Sequence, residues 1–166
     1  MTKTIAQLFL KELIAEEKST RRCLERIPAD IGDWKPHQKS MRMDYLALLV
    51  ADIPKWIAAM VEVGEINFAT WDQYTTHNLG DVVKIFDENM TAAKKALENA
   101  DDETLASKTF FLKSGDNILM QDPMIESLSS TLNHWVHHRG QLSVYMRLKD
   151  IAVPSIYGPS ADEPNF

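Results

Sequence analysis

The run Asn133-His134-Trp135-Val136-His137-His138-Arg139-Gly140-Gln141 holds three of the chain's five histidines within five residues. The apolar spacing around it predicts a helix, in which residues four apart stack on one face. His134 and His138 have that spacing. Two imidazoles so placed can chelate one divalent metal ion, as the two histidines of a zinc-protease helix do. A helix that only needed burial would have little use for such a cluster. His137 lies off the chelating face, and a structural or solvent-exposed place suits it better.

The elements that must position these histidines read mainly as helices. Ile5, Leu8, Phe9, Leu13, Leu24 and Ile27 recur near helical spacing and predict a first helix over residues 5–26. Glu16 and Thr20 fall on or near its apolar stripe and point either to a polar cavity at that level or to a partly exposed stretch. Pro28, Gly32 and Pro36 break the pattern, with Trp34 anchoring the loop. A second helix is expected over residues 40–63, with Ser40 as N-cap and Pro54 inside it. Its centre, Leu46 to Ile53, is almost wholly apolar. A third helix carries Leu79, Val82, Val83, Phe86, Met90, Ala93 and Leu97 on one face. Residues 107–120 read as a short hairpin or an extended crossover around Ser114-Gly115-Asp116. Asp122-Pro123 is read as the start of the last helix, Asp122 as its N-cap. The tail from Val153 is an ordered strap, because Ile156 and Tyr157 give it something to bury.

Composition narrows the function. The 166 residues suit one domain, taken as 1–166, with a single core. A net charge of −6 lacks the basic footprint of a nucleic-acid binder. No apolar run approaches the ~18 residues that span a bilayer, and no secretory signal is evident at the start. Neither nucleic acid nor membrane is therefore expected as a partner, and a cytoplasmic protein is the default. The single cysteine, Cys23, excludes an intrachain disulfide. Arg21, Arg22 and Arg26 nearby could lower its thiol pKa, but a small buried helix residue is the preferred reading.

Five segments occur in a familiar order: Trp34-Lys35-Pro36-His37-Gln38-Lys39-Ser40-Met41, Leu46-Ala47, Asp52-Ile53-Pro54-Lys55-Trp56, the histidine run to Gln141, and Tyr157-Gly158-Pro159-Ser160-Ala161-Asp162-Glu163. Together they resemble the damage-inducible, DinB/YfiT-like family over nearly the whole chain. The resemblance implies an all-α fold, a four-helix bundle with up-down-down-up connectivity and long crossover connections, often a homodimer. It also implies a zinc or nickel ion held by three histidines, two of which match His134 and His138. The third, on the second helix, falls on Leu49, and leucine cannot ligate. Asp52, three residues on, is a weak substitute ligand, and its commoner role is that of an exposed helix acid. Tyr45, Glu16, His37 and His77 are further candidates. Arg139 and Gln141 support the helix packing, with Asp162 or Glu163 of the tail as the carboxylate that a buried Arg139 needs.

Two functions follow from the resemblance. One is a metal-dependent enzyme, a transferase using a low-molecular-weight thiol or a hydrolase acting on a small molecule, with His134 and His138 as ligands. The other is a metal-free bundle that binds a small apolar ligand, or acts through its dimer, with Leu49 making the pocket floor apolar.

Overall fold

The computed structural model describes residues 4–72, 74 and 78–165. Among them the order is α1 (Ile5–Glu25), α2 (Met43–Glu62), β1 (Glu65–Asn67), α3 (Val82–Glu98), α4 (Asp102–Ser107), β2 (Thr109–Ser114), β3 (Asn117–Pro123) and α5 (Met124–Leu148), with short 3-10 turns at Ala29–Ile31 and Leu79–Asp81. The chain is mostly helical, yet the all-α expectation needs correction. The hairpin reading of residues 107–120 is the right one, and β1 joins it, parallel to β2 and opposite the antiparallel β3, in a three-stranded sheet. Gly115 turns the hairpin at a positive φ of 61°, a conformation glycine adopts without steric cost. The Asn67 side chain clamps that turn through the Gly115 N–H and carbonyl, at 2.9 and 3.1 Å.

Helix starts show why local spacing misplaces some boundaries. Thr4 and Gln7 form a capping box at α1. Asp102, from α4, accepts from the next two amides, Ile5 and Ala6, at 2.8 and 3.0 Å. Helix α2 begins at Met43 rather than near Ser40, because carbonyls of the preceding loop take its first amides: Met43 N–H donates to Trp34 O and Asp44 N–H to Gly32 O. No side-chain cap is needed. Asp122 does not cap α5. It pairs with Phe110 in the sheet, and Met124 N–H donates to Lys108 O at 2.9 Å.

The four long helices enclose the core, α2 against α3 and α5, and α1 against α3 and α5. Leu46 through Pro54 is buried throughout, as the apolar run predicts. Pro54 sits inside α2, so the Val50 carbonyl one turn earlier has no backbone donor within the helix. The indole of Trp135 supplies one: Nε1 donates to Val50 O at 2.9 Å, with Trp135 only 1% exposed and its ring 6.1 Å from Phe86. This bond fixes the rotation of α5 about its axis and thereby the direction in which His134 and His138 face. Trp135→Phe is expected to destabilise the fold by about 1–3 kcal/mol, the cost of an unpaired buried carbonyl. In urea unfolding, Pro54→Ala should recover part of that loss in the Trp135→Phe background, by restoring the backbone donor; strict additivity of the two changes would contradict the assignment.

Candidate functional site

Tyr45, Leu49, Asp52 and Trp56 recur along α2 at the spacing of one helix face. His134 and His138 of α5 stand opposite. Leu49, Tyr45, Trp56 and the two histidines, with Met41 and Tyr74, line a recess of about 470 Å³. The sequence-predicted histidines and Leu49 thus meet in one place. The histidine rings lie 4.4 Å apart, and their Nε2 atoms are 2.7 Å from each other.

A directional hydrogen-bond chain accounts for that contact. Gln141, one turn after His138, accepts from His138 Nδ1–H through Oε1 at 2.8 Å. The Nε2 of His138 therefore carries a lone pair, and His134 Nε2–H donates to it. Such a chain requires a neutral His138 as acceptor, and a neutral His134 with its proton on Nε2 completes it. Burial lowers the His134 pKa to about 4, aided by the neighbouring His138 and His137. Burial also lowers that of His138, while its bond to Gln141 opposes the shift and His137 adds to it. His137 itself is exposed.

Leu49 is 5% exposed and stands in the lining that the two histidines share. Asp52 is not the exposed acid expected of it: it is 1% exposed, and Oδ2 accepts from Trp56 Nε1 at 2.7 Å. Trp56 in turn lies tilted against His134, ring centres 5.7 Å apart. Tyr74 is buried on the same side, its ring edge-on to Tyr45, and burial followed by its bond to Tyr45 pushes its hydroxyl pKa up. Tyr74 in the recess lining and Asp52 behind Trp56 are residues whose burial the sequence does not reveal. His37 lies in an exposed turn, where its Nδ1 accepts from Lys39 N–H, and His77 lies outside the described residues. Among the described residues no three His, Cys, Asp or Glu side chains gather as a metal-binding group.

Arg139 faces away from the recess into the polar level suspected at Glu16 and Thr20. It is 2% exposed, and its partner is Glu16, not Asp162 or Glu163. The guanidinium also donates to Ser19 Oγ and Thr20 Oγ1 at 3.1 Å and to the Tyr157 hydroxyl at 2.7 Å. The tail carboxylates have other duties: Asp162 pairs with Arg147 and accepts from Val153 N–H, and Glu163 pairs with Arg22 and Arg26. The sequence expectation failed here because the tail acids are already committed, whereas Glu16 reaches Arg139 only through packing of α1 on α5. Cys23 is fully buried, and burial pushes its thiol up to about 11, so the nearby arginines do not activate it.

The described chain has no helix long and apolar enough to cross a membrane. The model of the DinB family matches residues 1–165. Among solved structures, a DinB-like protein from Bacillus cereus is similar at a TM-score of 0.70 and 20% identity, covering 95% of this chain and 100% of that one. Another, from Bacillus subtilis, is similar at a TM-score of 0.68 and 18% identity, covering 89% and 95%. No curated protein matches the chain.

Proposed function

The chain belongs to the DinB family, and from that footing we propose that its histidine recess binds a small, largely apolar molecule without a resident three-histidine metal. One observation carries this reading: at the corner where a third ligand would stand, the recess has Leu49, 5% exposed, while the Nε2 atoms of His134 and His138 are turned on each other at 2.7 Å. The donor set does not fit a three-ligand centre with an open position. Leucine has no lone pair to give, Asp52 is engaged with Trp56, and Glu16 is engaged with Arg139. A recess of about 470 Å³ with apolar and aromatic walls and two convergent imidazoles has the size and lining of a small-molecule site. A single domain over 1–166, the up-down-down-up course of the long helices, a homodimer and a place in the cytoplasm belong to the same reading.

One feature favours the metal-dependent transferase or hydrolase as a second reading. Gln141 orients His138 through Nδ1, as outer partners orient metal-bound histidines. The same bond serves a histidine pair that only hydrogen-bonds.

Phenol tests the pocket. With methionine methyl groups labelled, phenol at millimolar concentration should shift the Met41 signal, and His134→Ala, which removes the one ring nitrogen that the histidine chain leaves unused, should weaken binding about fivefold, the worth of one hydrogen bond of ~1 kcal/mol. A Met41 signal that phenol leaves in place would overturn the reading.

A further inference from the structure

A second cavity, of about 200 Å³, lies behind the recess between α2, α5 and the sheet. Trp56 and His134 belong to the walls of both, so the two cavities adjoin at these side chains. The Trp56 ring is held at its Nε1 edge by Asp52 and rests against His134. Past them the surroundings are mostly apolar, Ile66, Phe110 and Leu112 from the sheet and Met60 from α2, with the exposed Ser130 at the rim. Thr131 also faces the chamber, but its hydroxyl is used on the Met60 sulfur at 3.4 Å. Met60 is 1% exposed at the closed end, and Met120 on β3 is 39% exposed on the other side. Unbranched thioether side chains at both places let the chamber adjust to what enters it.

We propose that recess and chamber form one bipartite site for a neutral two-part molecule: a hydroxyl-bearing ring at His134 and His138, and a second aromatic ring in the chamber. This rests on the pocket reading above. The chamber exceeds the roughly 150 Å³ of an apolar cavity that takes a benzene, which sets the size of the second part at one ring. Among the described residues the recess lining holds no lysine or arginine, so an anionic group would find no countercharge there, while a hydroxyl can bond to the His134 ring nitrogen that the pair leaves unused. Desolvating an unpaired anion is far more costly than desolvating a hydroxyl.

The test compares phenol with 4-benzylphenol on the full chain with labelled methionine methyls. Phenol should shift Met41 alone. The two-ring probe should shift Met41, Met60 and Met120 together and bind at least about tenfold tighter, since a buried ring contributes well over the 1.4 kcal/mol that a factor of ten represents. Thr131→Phe, which fills the chamber from a half-buried position, should abolish that gain and leave phenol binding unchanged. Met60 and Met120 signals that stay in place with 4-benzylphenol, in the unaltered protein, would overturn the bipartite site even where Met41 responds. A Met41 signal deaf to both probes would instead remove the pocket reading beneath it.

Discussion

Leu49→His is expected to raise the zinc affinity of this protein about a hundredfold. Structural zinc is bound with roughly 10–16 kcal/mol by four ligands, or about 3 kcal/mol for each, and every 1.4 kcal/mol is a factor of ten. The position is suited to the change because Leu49 already lines the recess beside His134 and His138, and Gln141 already holds one imidazole in a ligand-ready tautomer. The apoprotein should lose about 1–3 kcal/mol, since an imidazole replaces a well-buried leucine without a guaranteed partner. Zinc should return that stability, because it binds the folded state and the melting temperature then rises with its concentration. Calorimetric titration of the variant and the parent chain measures both effects. Equal zinc affinities would show that Leu49 is not the missing corner.

The second large effect concerns the opposite side of α5. Glu16→Gln is expected to cost about 3 kcal/mol in urea unfolding. It leaves the Arg139 guanidinium 2% exposed with hydroxyls but no carboxylate, and breaking a buried pair from one side costs about 3–5 kcal/mol. The lower figure applies because the Glu16 side chain keeps 12% of its exposure, so some water reaches the pair. Replacing both partners with Met, Glu16→Met with Arg139→Met, should recover most of the loss, since an apolar pair of similar volume is often as stable as a buried ion pair. A Glu16→Gln variant within 1 kcal/mol of the parent would show that the ion pair is not what closes α1 on α5.

These two sites mark what could be read from the sequence. Helical periodicity placed α1 within a residue of its observed end, and it placed the buried centre of α2, because each depends on residues close along the chain. The i, i+4 histidines and the leucine opposite them were legible through the family pattern, and their meeting in one recess follows from two helix faces being opposed. What could not be read depends on long-range closure. Asp102 caps α1 from α4, Trp135 relieves the Val50 carbonyl that Pro54 strands, and Glu16 answers Arg139 from 123 residues away. Asp52 looked like a surface acid because an acid in a helix usually is one, and the indole of Trp56 one turn on is a half-buried partner that the acid's own position does not announce. Strand β1, at three residues, is too short to show alternation and exists because β2 offers it an edge.

The most direct test of the central claim is the nitrogen spectrum of 15N-labelled histidine in the unaltered protein near pH 7, recorded with and without equimolar zinc at micromolar concentration. The claim predicts that His134 is protonated at Nε2 and His138 at Nδ1, and that zinc leaves both patterns in place. A stoichiometric shift of both Nε2 resonances on adding zinc would contradict it and favour the metal-dependent reading of the recess.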